Sequence, residues 1–162
     1  MGAMSLPKPV EALWTDLQSA RAEVLKEAEG LSQRQADWKP SEQDWSVGEV
    51  VHHLTIAEIA TGKLTTKLTR EDEAARAVAP PVVWPEHGKP IGELISTMKA
   101  TRERSRQSIE KLATLDPRPL MFKHFCLGDL DLAQWWILQA QHDGVHLAQI
   151  REVKRAPGFP RG

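Results

Sequence analysis

The amino-acid sequence predicts an all-α fold, a four-helix bundle, and three observations support this. Apolar residues recur at three- and four-residue steps in four separate stretches of about 20 residues each. Two of these stretches open with a polar pair typical of a helix start. No stretch shows the apolar–polar alternation of a half-buried strand. Four amphipathic helices of this length bury their apolar stripes most simply against one another.

The first two helices have clear boundaries. The first is predicted from Pro9 to Glu29, and Gly30 follows as a stop signal. The second begins at Ser46 and runs to about Thr69. Ser46 and Glu49 form a capping box, in which each side chain binds a free backbone N–H of the first turn. The apolar stripes are Val10, Leu13, Trp14, Leu17, Val24, Leu25 and Ala28, then Val47, Val50, Val51, Leu54, Ala57 and Leu64.

A long connection separates the second helix from the third. Pro80, Pro81, Pro85 and Pro90 fall in it, and proline rings cannot continue a helix. The third helix follows over 91–112, with an apolar stripe of Ile91, Leu94, Ile95, Met98, Ile109 and Leu112. Its charged residues predict a solvated face; they are Arg102, Glu103, Arg104 and Arg106.

The fourth helix follows a second irregular stretch, from Asp116 to Leu130. Asp131 and Gln134 supply a further capping pair, and Pro157 ends the helix. Its core-facing stripe contains both apolar residues and histidines: Leu132, Trp135, Gln139, His142, His146, Ile150 and Val153. Trp135 and Trp136 are adjacent, so we expect one inside the bundle and the other on its surface or against a second copy in a homodimer.

Length and composition restrict the class of protein. The 162 residues predict one domain over 1–162 with its core at about 8–155. The 21 basic and 22 acidic residues give a net charge of −1, which argues against a nucleic-acid partner. No apolar run approaches a membrane span, no secretory signal is recognisable, and one cysteine excludes a cysteine cage for zinc. We therefore expect a cytoplasmic protein without a membrane partner.

The histidines suggest a metal site. His142 and His146 lie four residues apart, so both rings share one helix face and can grip one ion. A third imidazole from the second helix would complete three protein ligands and leave positions open for water. Periodicity does not choose between His52 and His53 for this place. The competing interpretation is a histidine pair that only hydrogen-bonds in the core.

Three segments resemble the DinB-like metal-binding bundles, which include YfiT-like putative hydrolases and bacterial thiol transferases. Residues 45–54, WSVGEVVHHL, resemble the family's W-S-x-x-E-x-x-x-H-L. Residues 124–130, HFCLGDL, are similar to its H-P-x-x-G-x-L, with Phe125 in place of proline. Residues 142–150, HDGVHLAQI, match its H-x-x-x-H-x-x-Q-I, with Leu147 where many members have arginine. The match spans about 38–153.

This resemblance implies a topology, a ligand set and a function. It implies an up-down-down-up bundle with a long crossover between the second and third helices. The positions of the histidines along their helices support this topology. Their heights match better if the second and fourth helices are antiparallel. It selects His53, His142 and His146 as ligands of one divalent ion, with zinc or nickel expected. Imidazoles bind metals only when neutral, so affinity should fall as the pH drops through about 6.5.

The implied activity is that of a metal-dependent hydrolase or a thiol S-transferase acting on a small molecule, such as a thiol or thiol adduct. The alternative is a non-catalytic bundle, stress-related or serving interactions, in which the ion pins two helices together. Glu58 resembles a recurrent family acid that orients a water or a ligand ring, although we expect an outward, solvated carboxylate. Gln149 is expected either to hold a ligand ring or to hydrogen-bond in the core. His124 and Cys126 precede the last helix and are weaker candidates near the bundle mouth.

Overall fold

The computed structural model describes residues 8–68, 84–113, 121–124 and 127–162. The long helices are α1 (Lys8–Ala28), α3 (Val47–Leu68), α4 (Ile91–Leu112) and α5 (Leu132–Arg155). Between them lie a short helix, α2 (Gln33–Asp37), and two strands, β1 (Met121–His124) and β2 (Gly128–Asp131). The four long helices confirm the predicted bundle, and their bounds lie close to those expected from the apolar stripes.

The helix starts follow the capping rules read from the sequence. The Glu49 N–H donates to Ser46 Oγ at 3.1 Å, and the Ser46 N–H donates to Glu49 Oε1 at 3.2 Å. Asp131 and Gln134 make the same reciprocal pair at the start of α5, with both distances 2.8 Å. Gly30 follows α1 with a φ of +82°, a left-handed conformation that glycine adopts without strain.

Side-chain contacts fix the direction of α3 relative to α4 and α5. A Cβ placed on Gly48 would lie 3.6 Å from the Leu94 side chain, so α3 and α4 begin side by side and run parallel. At the other end of α3, Thr65 Oγ1 accepts a 3.0 Å hydrogen bond from Trp136 Nε1 near the start of α5. Helices α3 and α5 are therefore antiparallel.

The ends of α1 and α5 lie together, because Lys154 Nζ donates to the Glu27 carboxylate at 2.8 Å. Helix α1 is therefore parallel to α5 and antiparallel to α3 and α4, which is the predicted up-down-down-up order. The parallel pair α3 and α4 requires the chain to return along the full height of the bundle. This crossover occupies 69–90, and only its part from Trp84 onward is among the described residues.

Two short elements were not predicted. Ser32 caps α2 in a capping box with Gln35, within a segment expected to be irregular. Strands β1 and β2 pair antiparallel, with Met121 opposite Asp131 and His124 opposite Gly128. This small hairpin lies in the second irregular stretch, where the sequence shows no strand pattern. Four-residue strands are too short to produce a recognisable alternation.

The core consists of two apolar clusters with a charged layer between them. One cluster lies around Leu17, Ile109 and Trp136, and the other around Val24, Met98 and Ile150. Trp135 and Trp136 are both buried, so the expectation that one of them lies on the outer surface or in a dimer contact is wrong. Among the described residues, no helix is both long and apolar enough to cross a membrane.

The charged layer joins all four long helices. Arg21, Glu58, Arg102 and Asp143 are each at most 5% exposed. Arg102 Nη2 donates to Glu58 Oε1 at 2.7 Å, and Arg21 donates to Glu58 at 3.0 Å and to both Asp143 oxygens at 3.0 and 3.1 Å. The expectations of a solvated Arg102 and an outward Glu58 are wrong. These charges can be buried because each is paired with an opposite charge from another helix.

Candidate metal centre

Three histidines from α3 and α5 converge at one point. His142 Nε2 lies 3.0 Å from His53 Nε2 and 3.0 Å from His146 Nε2. One ligand atom from each ring lies within 4.8 Å of the other two. Nitrogens bound to one zinc ion at about 2.0–2.1 Å in tetrahedral geometry are about 3.4 Å apart, so this spacing suits a shared ion.

Helix α3 contains two adjacent histidines, His52 and His53, and their side chains point in different directions. His53 contributes to the cluster, whereas His52 Nδ1 accepts a 2.9 Å hydrogen bond from the Glu86 N–H in the crossover. Adjacent residues on a helix are about 100° apart around its axis, so only one of them can face α5.

Gln149 contacts one of the clustered rings directly. Its side-chain oxygen lies 2.6 Å from His146 Nδ1. An amide oxygen only accepts, so His146 carries its proton on Nδ1 and presents a lone pair at Nε2. Three Nε2 atoms so close together cannot all satisfy one another, because each neutral ring has only one N–H. A cation at their centre satisfies all three lone pairs, so the donor set fits a metal ion.

Burial makes two of these imidazoles weak bases. It lowers the pKa of His53 to about 4, and the charges of His146 and His52 add to the shift. It lowers the pKa of His142 to about 3, with further contributions from His146, His53 and Arg21. From the ordinary pKa of an imidazole we expected metal binding to weaken near pH 6.5, and these lower pKa values move that expected pH downward for His53 and His142. Both are neutral, and ready to bind a metal, well below that pH.

Glu58 lies in the charged layer and not against the histidines. Burial alone would raise the pKa of its carboxyl, but the Arg21 and Arg102 charges outweigh burial and hold the pKa below its usual range. Ser105 also donates to Glu58, at 2.9 Å. The hydrogen bonds found for Glu58 within the described part of the chain go to Arg21, Arg102 and Ser105.

Sequence reasoning missed Arg21 and Asp143, which lie next to the site. Asp143 follows His142 directly and is held by Arg21, whose charge contributes to the low pKa of His142. A carboxylate between two core-facing histidines was the available signal, since a buried carboxylate requires a basic partner. Cys126 lies outside the described residues, and His124 is described only as backbone of β1.

A separate cavity of about 330 Å³ lies between α3 and α4. Gly62 and Lys63 line it from α3, and Arg104 and Ser108 line it from α4. Gly62 is on the opposite side of α3 from His53 by helical phase. This cavity is therefore not the mouth of the histidine cluster.

The fold and the cluster together define a four-helix bundle with a three-histidine candidate metal centre between two antiparallel helices. The family model described as the DinB superfamily matches residues 16–150, and the chain belongs to this superfamily. This confirms the resemblance seen in the sequence motifs.

One relative is similar to this chain in sequence, and two solved structures are similar to it in fold. The uncharacterized protein YuaE of Bacillus subtilis (strain 168) is 25% identical over 150 residues, covering 83% of this chain and 93% of that protein. TT2238, described as a four-helix bundle protein, has a TM-score of 0.67 at 18% identity, covering 88% of this chain and 98% of its own. YfiT from Bacillus subtilis, described as a probable metal-dependent hydrolase with an unusual four-helix bundle topology, has a TM-score of 0.67 at 19% identity. That match covers 99% of this chain and 94% of YfiT.

Proposed function

We propose that the protein is a metal-dependent enzyme, a hydrolase or a thiol S-transferase, in which His53, His142 and His146 bind one divalent ion. The convergence of the three Nε2 atoms is the observation that carries this proposal. Zinc or nickel suits three imidazoles. The similarity to YfiT, itself described as a probable metal-dependent hydrolase, supports the hydrolytic alternative.

The residues of the chain bind and orient, and the ion supplies the reactivity. A bound divalent ion lowers the pKa of water or of a substrate thiol, which makes either one a nucleophile near neutral pH. His53 and His142 remain neutral donors because burial lowers the pKa of each. Gln149 fixes the His146 proton on Nδ1, so that the Nε2 lone pair would be available to an ion held by the three histidines.

The number of protein ligands favours a catalytic ion over a purely structural one. Structural zinc sites usually have four protein ligands, whereas catalytic ones have three and an open position. The cluster in the described part of the chain contains three histidines and no carboxylate. Thiol transfer is the second candidate, because a metal held by these residues would lower the pKa of a substrate thiol, and such a thiol would need no protein base.

The test is a turnover screen on the metal-loaded protein with p-nitrophenyl acetate, a simple anilide and an S-conjugate of a small thiol. We expect zinc- or nickel-dependent turnover of one class, lost in His53→Ala and retained in the neighbouring control His52→Ala. A loaded protein that turns over none of the three argues for the non-catalytic alternative. Turnover that is unchanged in His53→Ala would contradict the assignment of the site.

A further inference from the structure

An aromatic wall, which we define as Trp45 and Trp84, stands beside the histidine cluster. Trp45 stacks on His146 with ring centroids 6.0 Å apart and planes 15° apart, and it tilts against His53 with centroids 4.8 Å apart. Trp84 packs edge-on against Trp45, at 5.9 Å and 89°. A continuous aromatic surface therefore leads from the histidine rings outward to Trp84.

The exposure of Trp84 argues against a structural role for this side chain. It is 72% exposed, the highest value among the exposed large apolar residues of the described chain. Trp84 meets Trp45 by an edge contact, and most of its large apolar surface faces solvent. Apolar surface of this kind beside a site is typical of ligand binding.

Three apolar side chains also lie near the cluster on α3 and α5. Val145 is 67% exposed and lies three residues after His142, so the two are neighbours on the surface of α5. Leu138 lies four residues before His142, and Ile56 lies three residues after His53 on α3. Both are partly exposed. Apolar side chains therefore adjoin the histidines on both helices that supply them.

We propose that the aromatic wall, together with Val145, binds a flat apolar or aromatic group of the substrate. This inference rests on the proposed function, because the reacting end of the substrate must be anchored at the metal centre beside the wall. The substrate class is then an ester, amide or thiol adduct that carries such a group. Trp84 determines specificity and takes no part in the chemistry, and its exposed ring provides a stacking surface.

Two zinc-binding probes distinguish binding at the metal centre from binding at the aromatic wall. Acetohydroxamic acid and 2-naphthohydroxamic acid bind zinc through the same atoms and differ in the attached group. Their affinities for the zinc-loaded protein are measured by calorimetry, with zinc-free protein as a blank. We expect the wild type to bind the naphthyl compound at least about tenfold more tightly, a size typical of an aromatic contact with area burial.

The variants assign this preference to Trp84. Trp84→Ala should lose most of the preference and bind acetohydroxamic acid unchanged, whereas Trp84→Phe should keep most of it. Ile137→Ala is the matched control, since Ile137 is an exposed apolar residue of α5 on a different face from His142. It should behave as the wild type.

Each contrary outcome has a distinct meaning. Equal affinity for the two probes in the wild type, or a preference that survives Trp84→Ala, overturns the aromatic wall as a substrate site while the metal centre stands. Failure of the protein to take up either zinc or nickel overturns both proposals, and it is seen before any probe is added.

Discussion

The hydrogen bond between His146 and Gln149 holds the His146 proton on Nδ1 and leaves the lone pair on Nε2. Partners of this kind in metal sites fix the tautomer and ring orientation, and their loss typically costs about 10–100-fold in metal affinity. Gln149→Leu should therefore weaken zinc binding by roughly that factor with little change in fold. Competition with a chromophoric chelator measures it. Gln141→Leu, an exposed glutamine on the same helix, is the control and should bind zinc normally.

If Gln149→Leu binds zinc as tightly as the wild type, the 2.6 Å contact serves only to hold the two side chains together. The orientation of the His146 ring would then have to be set by its other neighbours.

The low pKa values of His53 and His142 predict how many protons metal binding releases. Folded-state values of about 4 and about 3 lie below the ordinary value of about 6.5, so neither ring holds a proton at about pH 6. Zinc should then release at most about one proton there, whereas three ordinary imidazoles would release about two. Calorimetry in buffers of different ionisation enthalpy counts the protons. Release of two or more would show that burial does not lower the pKa of these rings.

Single residues show where prediction from sequence stops. The four-residue spacing of His142 and His146 predicted their shared face, but choosing His53 over His52 required the family motif. Arg102 has the same charge as Arg104, its exposed neighbour on α4. Its burial is decided by Glu58 on α3 and Asp143 on α5, and periodicity within one helix carries no information about such partners.

The charged layer makes the helices depend on one another. Removing one member of a buried ion network typically costs about 3–5 kcal/mol, because an opposite charge is left buried without its partner. Arg102→Leu should lower the free energy of unfolding by about that amount, measured by urea denaturation. Arg104→Leu is the matched control on the exposed face of α4 and should change it by less than about 0.5 kcal/mol. A loss below about 1 kcal/mol in Arg102→Leu would mean that the layer contributes little.

Among the secondary-structure elements, the helix starts were the easiest features to predict, because the residues of a capping box lie only three positions apart in the sequence. The boxes at Ser46 and Asp131 appear as expected. The box at Ser32 has the same chemistry, yet α2 has only five residues and no apolar period to reveal it. The β1–β2 hairpin was missed for a similar reason, since strands of four residues are too short to show a recognisable alternation.

For the whole molecule, the topology brings the candidate ligands to one height. His53 lies near the start of α3 and the α5 pair lies near the middle of its helix, slightly closer to its end, so their heights match better when the two helices are antiparallel. The family motif and this comparison of heights predicted the arrangement, and the contacts between helices confirm it. The position of Trp84 was not predictable, because it depends on a contact with Trp45, which is distant in sequence.

An ion shared by α3 and α5 is bound only when the bundle is folded, so it should stabilise the fold. At a free zinc concentration of about 100 times Kd, the gain is about 2.7 kcal/mol, which raises Tm by about 5–10 °C in a chain of this size. Melting curves with and without zinc at about pH 7.5 test this. His52→Ala should show the same rise and His53→Ala a much smaller one. An equal rise in both would indicate zinc bound elsewhere.

Titration of the metal-free protein with zinc is the most direct measurement of whether these three histidines form a metal site. At about pH 7.5, calorimetry should give one tight site for the wild type and for His52→Ala. In His53→Ala, where the fold is intact and one of three donors is gone, the affinity should fall by more than about 100-fold. A wild type that takes up no zinc, or a His53→Ala protein that binds zinc as the wild type does, would contradict the three-histidine site.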